Sequence, residues 1–388
     1  MAMAEAGTFK RSLGLIELVS LGVGGTVGSG IFVVPGVAAR LSGPYSLIAW
    51  VIVALSASCV LLSLSFVAYR FTSLSGFYAL FESVFGNRIA VPLMIFYTIS
   101  SVFGVSTIAA GIGQYIGFFN LSPVLLIEIT LLFVFCGLNI AGIVFSGMTE
   151  IILTALKIIP LMLIALLLLP FVRPENFVQS APLTAGGLLA TVIIVYWPFT
   201  GFEISAIPVE EAKDPSLIRQ SLILIMLIVV SLYLLLNIAL IGSVGVTALA
   251  ASPAPIATAS GIIFTHSGTL VAFIGIIAML SAMNAYIVGT SRVIHTISAR
   301  FSVPVMKDPT RQGTPAVALV LGCMASGLLL LVSNRFEVLA TISVITTLIP
   351  YIFFCITAWI LVAELKVRLI AAAGVLSTAA ILVMYFII

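Results

Sequence analysis

Lys157 stands at the centre of an apolar run from Ile143 to Phe171. If the run is a helix, the ammonium lies about 20 Å from either end at about 1.5 Å per residue, out of reach of surface water. A lysine at that depth must be met by oxygen from within the protein. Two chemistries suit it. It takes up and releases a proton in a coupling cycle, or it stays charged and ties neighbouring segments together as a fixed cation. Glu150 lies on nearly the same helical face, but at about 10.5 Å it is too distant for a direct pair.

A second group of residues offers backbone rather than side chains. Gly22, Gly24, Gly25, Gly28 and Gly30 are five glycines in nine residues, inside the apolar run 13–41. Each costs about 1 kcal/mol relative to alanine in a helix interior. One reading is an unwound point, whose free N–H groups at a half-helix N-terminus bind a carboxylate. The other is close helix packing, which needs small residues about one turn apart. Both readings stand on the sequence. The stretch Tyr196-Trp197-Pro198-Phe199-Thr200-Gly201-Phe202-Glu203 is a second mid-run interruption, because Pro198 removes a donor and Gly201 loosens the backbone.

Other reactive side chains are sparse. Cys59, Cys136, Cys323 and Cys355 lie in apolar runs without metal-ligand spacing and read as packing residues. His266 and His295 are 29 residues apart, so neither a metal site nor a cofactor is expected. Glu17 and Glu82 read as structural groups at one interface, and Glu128 and Glu337 as solvated groups at the other. Tyr97, Phe103 and Tyr286 are candidates for lining a pocket or for ordinary aromatic packing.

The elements that position these groups follow from composition. The 388 residues are 62% apolar and 7% charged, against about 45–50% and about 25% in soluble proteins. That excludes an ordinary cytosolic enzyme, a disordered chain and a nucleic-acid binder, and leaves an integral membrane protein built of spanning helices. Eleven stretches are long and apolar enough, at roughly 13–41, 44–70, 89–118, 121–140, 143–171, 186–208, 217–245, 268–299, 314–333, 336–363 and 367–388. The connector 71–88 predicts a short interfacial helix, and 246–267 an external loop with its own helical piece. The short polar N-terminus predicts no cleavable signal peptide.

Twelve basic residues fall on one side: Lys10, Arg11, Arg70, Arg88, Lys213, Arg219, Arg292, Arg300, Lys307, Arg311, Lys366 and Arg368. Only Arg40, Arg173 and Arg335 fall on the other, so the N-terminus is expected in the cytoplasm. The breaks fall in segments one and six. Segments 1–5 and 6–10 then form two five-helix halves of opposite orientation, an inverted repeat with paired interruptions, which points to a transporter site near the midplane.

These residues together resemble the amino acid–polyamine–organocation (APC) superfamily of permeases. Gly28-Ser29-Gly30-Ile31-Phe32 is similar to its first-helix signature. Phe199-Thr200-Gly201-Phe202-Glu203, followed by Glu210-Glu211-Ala212-Lys213-Asp214-Pro215, is similar to its sixth. Ser75-Gly76 with Tyr78 and Phe85-Gly86 resembles its first inner loop, and Asn284 with Ser291-Arg292-Val293 its eighth helix. The resemblance implies an all-α membrane protein with a LeuT-like 5+5 inverted-repeat core over 1–363, in halves of about 10–171 and 186–363. Residues 364–388 add an eleventh helix. It implies a substrate carboxylate on the amides of Gly28, Ser29 and Gly30, next to Ile31, with the Ser29 hydroxyl helping. The substrate ammonium would face carbonyls near Thr26 and from Trp197 to Thr200, up to Gly201. Phe199 or Phe202 would close as a gate, with Glu203 gating or neutralising. In related sodium-coupled transporters a cation joins segments one and eight. Several family members resemble this chain in having lysine at position 157, whose ammonium would replace that cation against Gly25, Thr26 and Ser281.

The expected function is secondary active, proton-coupled transport of neutral, small or apolar amino acids in the cell membrane, by a monomer or weak homodimer. The alternative is a cationic amino acid or polyamine carrier. A channel would need a symmetric filter, and a membrane enzyme would need clustered acids or histidines at depth; the sequence favours neither.

Overall fold

The computed structural model describes residues 13–68, 76–141, 147–178, 183–203, 212–214, 216–301 and 315–387. Lys10, Arg11, Arg70, Ser75, Lys307, Arg311, Glu210, Glu211 and Pro215 lie outside the described residues, as does the Glu150 side chain.

Long apolar runs with internal backbone pairing fold as helices, the economical solution where lipid offers no hydrogen bonds. The order is α1 (Leu15–Thr26), α2 (Ser29–Ser42), α3 (Ser46–Val67), α4 (Gly76–Phe85), α5 (Asn87–Phe118), α6 (Val124–Ile140) and α7 (Gly147–Leu168). Then come α8 (Ala185–Tyr196), α9 (Ser216–Ala251), α10 (Pro255–Ser260), α11 (Ser267–Arg300), α12 (Ala316–Val332), α13 (Phe336–Leu361) and α14 (Leu365–Ile387). No β-strand occurs among the described residues; Leu13 and Ala212 form an isolated parallel bridge.

Seven helical runs among the described residues are long and apolar enough to cross a membrane. The first, Leu15–Val67, spans 53 residues and contains two of the apolar stretches of the sequence. The helices Val124–Ile140, Ala185–Phe199 and Ala316–Val332 are apolar but shorter. A short helix, α4, falls within the connector 71–88, and another, α10, within 246–267. The long helix α9 is interrupted at Gly245, whose φ of 77° is left-handed.

The core is formed where α5 packs on α11 and α13, and where α9 packs on α1, α2 and α3. The last helix, α14, rests against α3 and α13. Its Gly374 is pressed on the Cys355 thiol, so closely that a Cβ there would meet Sγ at 2.5 Å and the Cys59 Cβ at 3.5 Å.

At the end of the bundle that carries Arg40, this residue in the last turn of α2 bonds Glu337 in the first turn of α13 at 2.6 Å. Glu128 departs from expectation. It is 2% exposed, not solvated, because α6 turns it onto α5 opposite Gly113, where a glycine leaves room.

Candidate substrate site

The first break is short. Helix α1 ends at Thr26 and α2 begins at Ser29, leaving Val27 (φ −82°, ψ 87°) and Gly28 (φ −135°, ψ −145°) outside either helix. The two readings of the glycine cluster divide among its members. Gly28 lies in the unwound step. Gly30 is a packing glycine inside α2, since a Cβ there would lie 2.5 Å from Pro198 Cα. The Gly-Ser-Gly triplet is thus not itself unwound; the break falls at its first residue and the one before.

A helix end leaves its last carbonyls without partners, and those of α1 are met by the next residues of the chain and by two distant side chains. Val23 O receives the Val27 amide at 2.8 Å. Gly24 O receives the Lys157 ammonium at 2.9 Å. Thr26 O receives the Gly28 amide at 3.1 Å, and the Tyr233 hydroxyl lies 3.2 Å away. Lys157 is 1% exposed. A cation at a helix C-terminus also meets the negative end of the helix dipole. One turn earlier on α7, Thr154 Oγ1 donates to Ser20 O at 2.9 Å, a second stitch between α7 and α1. The carbonyl that holds the lysine belongs to Gly24, next to the expected Gly25. Ser281 Oγ, expected beside the ammonium, is buried without a hydrogen-bond partner.

The second break follows α8. Pro198 cannot donate to the helical ladder, and the backbone tightens into a single 3-10 turn, Trp197–Phe199. Trp197 O then takes both the amide of Thr200 at 3.1 Å and its hydroxyl at 2.8 Å. Gly201 has φ +92°, and a Cβ there would lie 2.9 Å from Gly25 O. Only a residue without a side chain fits that backbone and that approach.

The two breaks touch. Trp197 Nε1 donates to Ser29 Oγ at 3.2 Å. The single proton of Tyr233 is shared between Thr26 O and Pro198 O, the latter at 3.1 Å. The N-terminus of α2 has no side-chain cap, because its N-cap is Gly28. Its first-turn amides, from Ser29 to Ile31, have no intrahelical acceptor.

One turn beyond the second break lies a narrow cavity between α5, α11 and α13. Of the expected residues, Thr200, Gly201 and Glu203 line it, together with Tyr97 and Tyr286. Ser100, Ser101, Thr290 and Thr347 add hydroxyls that the sequence did not single out. Thr290 Oγ1 is buried there without a partner. Glu203 is 3% exposed. It accepts from Tyr97 at 2.8 Å, from Tyr351 at 2.7 Å and from the Gly201 amide at 3.1 Å. This network joins the broken segment to α5 and α13. Tyr286 stands between cavity and break, its hydroxyl 3.3 Å from Thr200 Oγ1 and its ring 5.9 Å from Trp197.

Phe199 and Phe202 do not line that cavity. They border a second, smaller one with Thr26, Leu61, Ile225, Met226 and Val229. Phe199 packs on Tyr233 at 5.2 Å, and Phe202 on Tyr351 at 5.3 Å. Among the described residues no group of acids, histidines and cysteines forms a metal cluster.

The family model described as amino acid permease matches residues 13–388. The chain is 24% identical over 370 residues to the inner membrane transport protein YbaT of Escherichia coli, covering 92% of this chain and 85% of that protein. It is 26% identical over 345 residues to the branched-chain amino acid permease BcaP of Bacillus subtilis, with 80% and 72% covered. It is 28% identical over 288 residues to the chloroplastic cationic amino acid transporter 9 of Arabidopsis thaliana, with 64% and 48% covered.

Proposed function

The chain belongs to the amino acid permease family, and on that premise we propose that it is a secondary active transporter that moves amino acids by alternating access with proton coupling. The observation that carries the reading is the meeting of two interrupted helices, joined through Trp197 and Ser29, with uncapped amides on one side. Uncapped N–H groups suit a carboxylate, and the carbonyls of the breaks suit an ammonium. An α-amino acid carries both groups one carbon apart. The amides of Ser29, Gly30 and Ile31 would take the carboxylate. The carbonyls of Thr26 and Pro198 would take the ammonium, displacing the Tyr233 hydroxyl.

The architecture in this reading is the 5+5 inverted repeat, with α14 as an added helix, the N-terminus in the cytoplasm and the protein in the cell membrane. The segments holding the two breaks would rock against α5, α11 and α13. The links from Glu203 to Tyr97 and Tyr351 would hold the cavity side closed. Lys157 would couple the motion to protons, because its ammonium grips the free end of α1 and loses that grip when deprotonated.

The substrate class favoured is neutral amino acids of small or apolar side chain. Glu203, the carboxylate on the cavity wall, already has three donors and offers little to a cationic side chain. The relative BcaP is named for branched-chain amino acids, in accord with this. A second reading, a cationic side chain, rests on the rings of Tyr97 and Tyr286 on the cavity wall, which can hold a cation without a carboxylate, and another relative is named for cationic amino acids. Uptake of each class into proteoliposomes under an imposed pH gradient tests the proposal. Gradient-driven, saturable uptake of neutral amino acids is expected; uptake of lysine or arginine alone would shift the substrate class. Unsaturable flux, or none of either class, would overturn the transport reading.

A further inference from the structure

Two carboxylates are buried in the apolar interior to nearly the same degree, Glu203 at 3% and Glu128 at 2% exposure. Their surroundings are opposite. Glu203 has three donors, whereas no donor among the described residues bonds Glu128, and its Oε2 is enclosed and unpartnered. Its Oε1 lies so close to α5 that a Cβ on Gly113 would collide with it, and Val124 Cγ1 lies 2.9 Å from the same position.

The charged groups of every neighbouring element lie elsewhere. On α5 these are Arg88, Tyr97 and Tyr115; the first two are at the other end of the helix, and the Tyr115 hydroxyl donates to Phe32 O at 2.9 Å. On α11, Tyr286, Arg292, His295 and Arg300 all fall in its second half; His266 just before α11 and Arg335 just after α12, which itself carries only Cys323, form no ion pair with Glu128 among the described residues. Arg40 is paired with Glu337. An ionised carboxylate without donors or a counter-charge in such a place costs several kcal/mol or more, and the group takes a proton instead.

We propose that Glu128 is a proton-binding site of its own, away from the helix breaks, which carries its proton whenever α5 and α6 are packed through Gly113. The carboxylic acid is then a compact polar wedge in an apolar seam, and it ionises only if the two helices part. This stands independently of the transport reading.

Infrared spectroscopy of the full chain in lipid nanodiscs, in buffer well above the ordinary titration range of carboxyl groups, tests it. The wild type should show a protonated carboxyl C=O band that Glu128→Gln removes and Glu203→Gln does not. A wild type without the band, or a band that survives in Glu128→Gln, overturns the proposal. Thermal melting supplies the second reading. A proton held in the folded state and released on unfolding stabilises at low pH and is lost as pH rises. The wild type should therefore lose melting temperature relative to Glu128→Gln with rising pH, and a constant difference would also overturn it. If Glu128→Gln does not fold, Glu128→Leu is measured in its place. Failure of both neutral variants to fold would mean that the charge is required, and would refute the idea.

Discussion

The indole N–H of Trp197 points at the hydroxyl oxygen of Ser29, 168 positions earlier in the chain and 3.2 Å away. One side chain thus registers the interruption of one helix against that of another. Replacing Ser29 by alanine leaves a buried indole donor unpaired, at a cost of about 1–3 kcal/mol. It also removes a hydroxyl beside the free amides of α2. Substrate affinity should fall by roughly tenfold or more by the same energy, read by equilibrium binding on purified protein. Unchanged affinity in a folded Ser29→Ala variant would place the substrate elsewhere.

Gly30→Ala puts a methyl group 2.5 Å from the Pro198 backbone, which cannot yield as a flexible side chain would. Transport should be abolished with the protein still inserted and folded. Gly117→Ala is the control, since nothing lies within 4 Å of its Cβ position. It should transport as the wild type does, and equal damage from both would mean that the close approach of the breaks is unimportant.

Lys157→Ala strips the Gly24 carbonyl of its cation and opens a space at the end of α1. The expected result is loss of pH-dependent uptake, with counterflow exchange less affected than accumulation. Proton-driven accumulation equal to that of the wild type would exclude Lys157 from coupling.

Tyr233→Phe removes the hydroxyl shared by Thr26 O and Pro198 O. Without ligand the protein should be less stable, by about 1 kcal/mol for a net hydrogen bond. With ligand the two carbonyls meet the ammonium without a competitor, so KM should drop while the ligand-free melting temperature falls. A raised KM would mean that Tyr233 assists binding.

The sequence made the two interruptions visible, because glycine clusters and mid-run proline have no other use in a spanning helix than packing or unwinding. It could not say which glycine does which. That depends on what faces each one: nothing on the chain near Gly30 announces Pro198. Lys157 was legible because charge is so rare in this chain, but its acceptor is set by where α1 ends, one carbonyl away from the expected one. The hydroxyl-lined cavity was the least legible part. Ser100, Thr290 and Thr347 come from three different helices, α5, α11 and α13, and a lone serine or threonine in an apolar run carries no signal. Glu128 misled for a related reason. A carboxylate five residues from a loop reads as wet unless the glycine opposite it on another helix is known.

The seat of Gly374 on Cys355 has a practical consequence. The Cys355 thiol is roofed by α14, the helix outside the proposed ten-helix core, and the half-buried Cys59 lies beside it. A membrane-permeant thiol reagent should then act as a reporter of assembly, sluggish while the roof is in place and quick once a chain truncated after Leu361 leaves the cleft open to lipid. The small residue that lets the last helix settle thereby also decides how long those cysteines stay reduced.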